Sequence, residues 1–488
     1  MSPFDAARYA RLLEGLEAIE RPASDVFSRE RMDSEAFAKA ALELVARLSK
    51  LPRIQAVSQV ASVSDGNHLS IANEFGEPEG GVRYLRGQDI NGAMMLDDRN
   101  PVYIPESEYE KLARSHIFRD DVLITIVGAN TGQTALVDTA PDKLTANCKL
   151  GILRAKRGVI APAYLHAFLA GRYGQSQVLS AKRGGGQMGL ILPDLKALVV
   201  ARFSEGFEQR VAELSALAHK TNRARQAHLE RAEALLQSSL GLDVWQAPES
   251  LSYVRRSSEA FGAERFDAEY FHPQKASALL ALRSLSDATV GDLFSSVRQL
   301  WQPDAGPPSD QVRNYDLNDA LVPFLDGRKL PVARGDIAST KKLLKAGDLV
   351  VSRLRSYLRE IAIVEPSTDF PMVASTEYIV LRPISHTVLP VEALLVYLKS
   401  PLPQIVLKWS QDGSNHPRFD EKEILRMPVP RALIANPTPY VNAMQKLKAS
   451  KQRAGELLAA ATRAVEIAIE DSEGAALAYI DQVAPRTH

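Results

Sequence analysis

FRDDVLITIVGANTGQTALV, residues 118–137, has a counterpart in LKAGDLVVSRLRSYLREIAIV, residues 344–364. Each stretch contains an apolar run, DVLITIVG in one and DLVVSRL in the other, which is typical of a buried β-strand. A second strand-like run follows in both places, because NCKLGILRA (147–155) parallels STEYIVLRP (375–383) at an offset of 228 (375 − 147). The same elements therefore occur twice in the chain.

The repeat extends in both directions from these strands. Upstream, ERMDSEAF (30–37) matches ERFDAEYF (264–271) at an offset of 234 (264 − 30). Downstream, the helix-patterned APAYLHAFLAGRYGQSQVLSAKRGGGQMGLI (161–191) parallels LPVEALLVYLKSPLPQIVLKWSQDGSNHPRF (389–419), where two prolines must bend or end the helix. Self-similarity over this length indicates a tandem duplication, and it predicts an α+β fold with two repeated α/β domains.

Each repeat closes with a long helix-patterned segment, 206–240 in the first and 440–470 in the second. Apolar side chains recur there at spacings of three and four, which predicts coiled-coil-like helices ~50 Å long. Two ordinary bundle helices are the alternative. The side chains predicted to form the partner-contacting faces of these helices are Val211, Leu214, Leu229, Leu236, Val441, Met444, Leu458 and Val465.

Composition is that of a soluble globular protein, with 45% hydrophobic and 24% charged residues in a chain of 488. This length predicts two to four domains. The single cysteine, Cys148, cannot form an internal disulfide, which fits a reducing cytosol. No apolar run approaches the ~18 residues that span a bilayer, and the acidic, amphipathic N-terminus argues against a secretory signal. The net charge of zero gives no overall indication of nucleic acid.

Several motifs favour an enzyme at first sight, and each fails in its context. KRGGGQMGLI (182–191) fits G-x-G-x-x-G, but it follows a helix-patterned stretch, whereas a dinucleotide loop follows a strand and opens a helix. GANTGQT (128–134) lacks the lysine of a phosphate loop, and a threonine interrupts the methyltransferase-like NPTPY (436–440). Cys148 lies in a strand-like run, where we expect a buried structural thiol. We therefore predict a chain without catalytic residues, metal or cofactor.

Basic and amide residues cluster at matching positions of the two repeats. Such side chains recognise base edges in pairs of hydrogen bonds, while cations and backbone N–H groups hold phosphates. Glycines let a loop approach a sugar–phosphate wall closely. A solvated charged face is the alternative for any single residue. The predicted DNA-binding residues are Arg83, Arg86, Gln88, Asn130, Lys182, Arg183, Gly185 and Gln187 in the first half, and Arg328, Lys329, Arg353, Arg355, Lys408, Gln411, Asn415, His416 and Arg418 in the second.

The layout resembles the specificity (S) subunit of type I restriction–modification systems. The matching elements are YLRGQDING (84–92), FRDDVLITIVGANTGQTALV, NCKLGILRA, the P-x-YL-x-x-FL pattern and the glycine–glutamine loop before ILPDLKALVV. The match covers roughly 50–240 and, less sharply, 288–470. The second half lacks the Val-Gly-Ala and Gly-Gln elements, and ERMDSEAF is less typical, which leaves open a classical S subunit or a related methylation-based defence system.

This resemblance implies two target-recognition domains separated by a pair of long antiparallel helices that act as a ruler between two half-sites in double-stranded DNA. It also implies two methyltransferase subunits that carry S-adenosylmethionine, in a bacterial or archaeal cytoplasm. A motor–nuclease restriction subunit is a further candidate partner. The expected boundaries are an N-terminal helical segment (1–27), a first target-recognition domain (28–203), a central spacer helix (204–242), a linker (243–264), a second target-recognition domain (265–433), a C-terminal spacer helix (434–472) and a tail (473–488).

Two other functions stay open on the sequence. One is a stand-alone sequence-specific DNA-binding regulator, which would need no methyltransferase. The other is a DNA enzyme, such as a nuclease, whose site the motifs do not reveal.

Overall fold

The computed structural model has a mixed α+β fold. It describes residues 5, 8, 11–12, 21–29, 33, 35–76, 80–90, 96, 101–128, 130–139, 142–183, 189–250, 252–367, 369–413 and 416–484. Most of the N-terminal segment 1–27, which was expected to be helical, lies outside these residues. The chain divides into two compact units: a first unit of Met1–Arg223 with Ser450–His488, and a second unit of Ala224–Ala449.

The first half of the chain contains short helices, short strands and one long helix. Its helices are α1 (Ala23–Arg29), α2 (Lys39–Leu48), α3 (Val57–Val60), α4 (Glu106–Lys111), α5 (Pro162–Ala170), α6 (Arg172–Ala181), α7 (Leu192–Ala197) and α8 (Glu205–Ser239). Its strands are β1 (Ile54–Ala56), β2 (Ala61–Asp65), β3 (Val82–Leu85), β4 (Val102–Ile104), β5 (Val122–Thr125), β6 (Thr134–Leu136), β7 (Leu144–Ala146), β8 (Leu150–Ala155) and β9 (Val199–Ala201).

The second half follows the same order with additional short strands. Its helices are α9 (Ser257–Ala263), α10 (Pro273–Ser284), α11 (Val290–Leu293), α12 (Val391–Lys399), α13 (Pro401–Lys408), α14 (Glu421–Leu425), α15 (Arg431–Ala435), α16 (Thr438–Glu470) and α17 (Glu473–Val483). Its strands are β10 (Ser286–Thr289), β11 (Phe294–Ser296), β12 (Leu300–Trp301), β13 (Gln311–Tyr315), β14 (Phe324–Leu325), β15 (Val332–Ala333), β16 (Lys341–Leu344), β17 (Leu349–Ser352), β18 (Ile361–Val364), β19 (Met372–Ala374), β20 (Tyr378–Pro383) and β21 (Pro428–Pro430).

Strand pairing confirms the duplication. The first unit has an antiparallel sheet in the order β2-β8-β5-β6, and the second unit repeats this order as β11-β20-β17-β18. The parallel pair β3 and β7, with Arg83 opposite Leu144, recurs as β13 and β19, with Arg313 opposite Met372. The short antiparallel pair β1 and β9 recurs as β10 and β21. The two halves therefore share both element order and hydrogen-bond register.

The repeat begins earlier than the predicted domain boundaries. The starts of helices α1 and α9 differ by the same interval (257 − 23) as those of α2 and α10 (273 − 39). Between them, the carboxylate of Asp33 accepts a hydrogen bond from the N–H of Ala36 at 3.0 Å, and Asp267 accepts one from Tyr270 at 2.9 Å. ERMDSEAF and ERFDAEYF thus share an aspartate that accepts a hydrogen bond from the N–H three residues later. The segment expected to be a linker thus contains a helix of the second repeat.

A buried aspartate fixes the turn that starts β5. Asp121 is 1% exposed and accepts two hydrogen bonds from the Arg154 guanidinium, both at 2.8 Å. It also accepts one from the backbone N–H of Phe118 at 2.8 Å. The preceding residue, Asp120, has a φ of 72°, in the left-handed region. The carboxylate therefore joins the turn, strand β5 and strand β8.

The second unit contains the same arrangement at the start of β17. Asp348, also 1% exposed, accepts two hydrogen bonds from Arg382 at 2.7 Å and one from the N–H of Lys345 at 2.7 Å. Here the left-handed position before the aspartate is a glycine, Gly347, with a φ of 84°. Burial of a charge is tolerated because each carboxylate is fully hydrogen-bonded.

Two local predictions were wrong. The helix predicted within the helix-patterned stretch 161–191 is divided between α5 and α6 at Gly171, as the prolines divide α12 from α13 in the second half. ILPDLKALVV, which follows the glycine-rich segment, forms α7 and the start of β9. Cys148 is half-buried in the turn between β7 and β8, and not inside a strand.

The long helices α8 and α16 each belong to both units, because the division falls after Arg223 in α8 and after Ala449 in α16. Most of the side chains predicted to contact a partner are packed inside this chain instead. In the first unit Val211, Leu214, Leu458 and Val465 are buried in one core; in the second, Leu236 and Met444 are buried in another, Leu229 packs against it and Val441 is half-buried. The six buried side chains are therefore not exposed to a partner, contrary to the prediction, whereas for the half-buried Leu229 and Val441 it stays a prediction.

The segment 473–488, expected to be a tail, contains α17, and Ala476 and Ile480 are fully buried in the core of the first unit. The guanidinium of Arg210 on α8 donates to Asp481 at 2.9 Å and to the carbonyl of Ala484 at 2.8 Å. The C-terminal residues are thus an integral part of the first unit.

Replacement of Arg154 by Ala should destabilise the first unit by roughly 1–3 kcal/mol, because Asp121 stays buried and loses two of its hydrogen bonds. Arg382→Ala should do the same to the second unit. Because the two units need not unfold together, hydrogen exchange resolved by peptide is the appropriate measurement. Arg157→Ala, an exposed position just after β8, is the control and should change the free energy of unfolding by less than ~0.5 kcal/mol. Equal effects of Arg154→Ala and the control would contradict the assigned role.

Two buried histidines make the first unit sensitive to acid. His166 is 1% exposed and His219 is 3% exposed, with ring centroids 6.4 Å apart. Burial, followed by repulsion from His219, lowers the pKa of His166 to about 3, and burial lowers the pKa of His219 to about 4. Asp138, which also pairs with Arg223, lies 3.5 Å from Nδ1 of His219. Both imidazoles are therefore neutral in the folded unit at neutral pH.

As pH falls below about 6.5, the unfolded chain takes up protons that the folded unit accepts only near pH 4 and 3. The free energy of unfolding of the first unit should therefore fall between pH 6.5 and 4, by up to ~1.4 kcal/mol per pH unit for each histidine. His166→Gln should flatten this slope, measured by hydrogen exchange at pH 7, 6 and 5. His386→Gln, at an exposed position of the second unit, should leave it unchanged. An identical dependence of the free energy of unfolding on pH in His166→Gln and wild type would contradict this explanation.

Candidate nucleic-acid interface

A cleft of about 540 Å³ opens in the first unit beside the ends of β3, β5 and β7. Its wall includes three of the predicted DNA-binding residues, Arg86, Gln88 and Asn130. Gln88 is exposed, and Asn130 is half-buried and donates to the carbonyl of Ile90 at 3.3 Å. The structure thus brings together side chains that are far apart in the sequence.

The cleft also contains polar residues that the sequence analysis missed. Asn67 and Asn147 form a parallel bridge beneath it, and a Cβ at Gly66 would lie 2.1 Å from the Asn147 carbonyl oxygen, so only glycine allows this approach. Lys149 is exposed, and His68 has 60% of its side chain exposed. These residues lie in the turns that follow β2 and β7. A polar turn after an apolar run was the signal that could have identified them.

Two predicted arginines of the first half have structural partners. Asp89 accepts a hydrogen bond from Nη2 of Arg86 at 2.9 Å, and its other oxygen lies 3.5 Å from Nη2 of Arg83. Only 8% of the Arg83 side chain is exposed, so it cannot reach DNA and the prediction for Arg83 was wrong. Arg313, also buried, occupies the equivalent position in the second unit, opposite β19. Arg83 thus helps to hold the turn after β3, whereas Arg313 donates to the carbonyl of Lys329 at 2.6 Å.

The described ends of the glycine-rich segment adjoin the cleft. Arg183 and Gly189 form an antiparallel bridge that closes the loop, and Gly189 also pairs with Val127, which lines the cleft. The Arg183 guanidinium is 43% exposed and donates two hydrogen bonds to Asp194, at 2.8 and 2.9 Å, while Lys182 is half-buried. Gly185 and Gln187 lie outside the described residues. The described ends of this segment therefore lie beside the polar cleft.

The second unit contains the same loop closure. Asp412 and Arg418 form the antiparallel bridge, and Arg418 also pairs with Leu354. Its offset from the first loop (412 − 183) is greater by one position than the sequence alignment predicted. His416 is exposed, and the side-chain amide of Gln411 donates to the carbonyl of Pro417 at 3.3 Å. Asn415 lies outside the described residues.

A single carboxylate positions two arginines beside this second loop. Glu377 accepts from Arg418 at 2.8 Å, and Nε of Arg353 lies 3.7 Å from it. The hydrogen bond from Arg418 lowers the pKa of Glu377, and so Glu377 stays charged at neutral pH. Both guanidinium groups keep about 40% of their side-chain surface exposed. They form a fixed basic edge next to the loop.

Four further predicted residues belong to the second unit, and one of them lies at the loop. Arg328 is exposed in the turn after β14, and the Lys329 ammonium in the same turn lies 2.5 Å from Asp319. Lys408 is exposed at the end of α13, with its ammonium 5.0 Å from the centre of the Trp409 ring. Arg355 is exposed and adjoins the loop, since its N–H donates to the carbonyl of Pro417 at 3.4 Å. Of these four, Arg355 is the one whose described contacts place it at the loop.

Among the described residues, no group of three or more His, Cys, Asp or Glu side chains is arranged to hold a metal ion. Within the same part of the chain, every helix is too short or too polar to cross a membrane.

No protein-family model matches the chain, and no curated protein matches it either. Similar solved structures include the type I restriction–modification S subunit from M. genitalium, at a TM-score of 0.37 and 14% identity, covering 89% of this chain and 96% of that chain. The HsdS subunit from Thermoanaerobacter tengcongensis has a TM-score of 0.28 and 15% identity, covering 89% and 98%. A protein solved to explain assembly and conformational transition of the type I restriction–modification system has a TM-score of 0.27 and 14% identity, covering 89% and 98%.

All three structures come from the kind of system that the sequence motifs resemble. Their TM-scores lie below 0.5, so the likeness carries no argument for function.

Proposed function

We propose that the chain is the non-catalytic DNA-recognition subunit of a type I, or type I-like, restriction–modification or methylation-based defence complex. The observation that carries this proposal is the matched pair of loops, closed by the bridges Arg183–Gly189 and Asp412–Arg418. The described ends of each loop lie beside exposed basic or amide side chains in their own unit. A duplicated recognition surface suits a target with two different half-sites.

The chemistry of the first surface suits the major groove of DNA. Gln88 and Asn130 each carry an amide that can donate and accept at one base edge, the pattern that adenine complements. Lys149, exposed at the same cleft, supplies a cation for a phosphate. The net charge of zero fits a chain whose partners contribute much of the contact to phosphates.

We also propose how the two domains, the long helices and the partner subunits are arranged in the complex. The two target-recognition domains would each bind one half-site, and α8 and α16 would lie antiparallel between them and fix the unread spacer. Two methyltransferase subunits carrying S-adenosylmethionine would dock on exposed helix faces and not on the buried residues predicted first. Leu217 and Leu235, 42% and 48% exposed on α8, are separated by about five helical turns (235 − 217), which places them on one face. A motor–nuclease subunit would join the same complex.

The DNA-binding role can be tested on the full chain with duplex DNA enriched from a random library. Lys149→Ala should weaken binding to all sequences alike and reduce the slope of log affinity against log salt by about one unit. Gln88→Ala should relax discrimination at one base pair by roughly 1–3 kcal/mol. Arg157→Ala, at the opposite end of β8 from Lys149, is the matched control and should change neither property. A wild-type chain that enriches no motif would overturn the proposal.

The spacer role has a separate test. No described side chain of α8 is buried between His219 and Ala232, and none of α16 between Leu447 and Ala454. Seven residues inserted in both helices, after Arg223 and after Ala449, should keep the helix faces in register. They should lengthen the preferred spacer by ~10 Å, about three base pairs, without changing the half-sites. The same insertion in the exposed turn after Asp304 should change nothing. A spacer of unaltered length would rule out the ruler.

The two other functions make different predictions in simple assays. A stand-alone regulator would not co-elute with a methyltransferase subunit in size-exclusion chromatography. A DNA enzyme would cleave or methylate DNA as the isolated chain with a divalent metal or S-adenosylmethionine.

A further inference from the structure

The two units differ at one matched backbone position next to the loops. Strand pairing makes β5 equivalent to β17, with Val122 matching Leu349, so Gly128 corresponds to Arg355 and Gly132 to Arg359. All four of these loop residues have positive φ: 111° and 100° for the glycines, 47° and 51° for the arginines. A side chain in this region is strained, whereas glycine is not. The second unit therefore places arginine where the backbone favours glycine.

Arg359 has a structural reason for its strained conformation. Its guanidinium pairs with Glu233, and its carbonyl accepts a hydrogen bond from the buried Lys399 ammonium at 2.7 Å. The residue thus connects β18 to α8 and α12 within the second unit. The Arg359 side chain therefore stabilises the fold of the second unit.

Arg355 has no such role among the described residues, where its side chain forms no ion pair. It is exposed, and its backbone is held by two hydrogen bonds, from its N–H to Pro417 at 3.4 Å and from the N–H of Leu358 to its carbonyl at 2.9 Å. The preceding Leu354 forms the bridge to Arg418. The backbone and Cβ of Arg355 are therefore held in place, while its exposed guanidinium can contact a ligand. A strained residue held in this way is typical of a binding site.

The first unit shows where this position faces. Gly128 lines the cleft, and a Cβ added to it would meet no atom within 4 Å. The equivalent position of the second unit carries the Arg355 side chain at the corresponding surface, beside the loop. Neighbouring Arg353 and Arg418 share Glu377, so their guanidinium groups are already partnered.

We propose that Arg355 is a specificity-determining residue that recognises guanine in the half-site bound by the second unit. This inference rests on the proposed function. A guanidinium donates two parallel hydrogen bonds to O6 and N7 of guanine, which no other base presents together in the major groove. A contact to phosphate would not require a fixed backbone at this residue. A lysine or arginine with an unstrained backbone would provide that contact equally well. The first half-site has no counterpart, because Gly128 offers no side chain.

The test compares the full-length wild-type chain with Arg355→Gly, Arg355→Lys and Glu264→Gly in selection from a random duplex library. Arg355→Gly should fold at least as stably as wild type, because it removes the left-handed side chain. Both Arg355 variants should lose one G·C preference in one half-site, ~10-fold or more in relative affinity, and keep the other half-site. Glu264→Gly removes the same strain at an exposed helix end, where φ is 55°, and should bind as wild type does.

Modified bases identify the contact. Replacement of the selected guanine by 7-deazaguanine, which lacks N7, should weaken wild-type binding and leave Arg355→Gly unaffected. Inosine, which keeps O6 and N7, should be tolerated by wild type. A uniform loss of affinity across all sequences in Arg355→Gly would show a phosphate contact, and an unchanged motif would show no contact. Either result overturns the assignment of Arg355 and leaves the proposed function standing. If the wild-type chain selects no motif, the proposed function fails and this assignment fails with it.

Discussion

The hydrogen-bonded aspartate at the start of each central strand is the constraint on which both units depend. Asp121 and Asp348 are almost completely buried, and each is held by an arginine from the neighbouring strand. Because a buried carboxylate without partners is costly, the strand register cannot slip without losing these bonds. The register in turn sets which residues leave the ends of β5 and β17 toward the loops. The geometry of the surfaces beside the loops thus depends on a buried charge in each unit.

The duplication and the strand content were predictable because apolar runs recur with the same period in both halves. What the sequence could not separate is the purpose of each arginine. Arg83 and Arg355 both occur in polar, basic stretches, yet one is buried against Asp89 and the other is exposed at a loop. The difference depends on tertiary contacts with residues distant in the chain. Arg154 and Arg382 lie at the ends of the matched runs NCKLGILRA and STEYIVLRP, but those runs do not show that each arginine binds a buried aspartate from a neighbouring strand.

The helices show a similar limit. Spacings of three and four correctly indicated long helices, but a periodic apolar face does not specify what covers it. In both units, that face belongs to a core made by the same chain, which includes residues of both long helices. The break at Gly171 was missed because glycine is often tolerated in a helix, whereas the prolines at 401 and 403 gave a clear signal.

The composition of the two units has a consequence for biosynthesis. The second unit is one continuous stretch, Ala224–Ala449, whereas the first requires residues 450–488 to complete its core. A ribosome that has finished residue 223 must synthesise the whole second unit before it reaches that last segment, which takes roughly 10–45 s at ~5–20 residues per second. During this interval the first unit keeps apolar surface uncovered, whereas the second unit has all of its residues once residue 449 is made, before the first unit is complete. The order of maturation is thus the reverse of the order of synthesis.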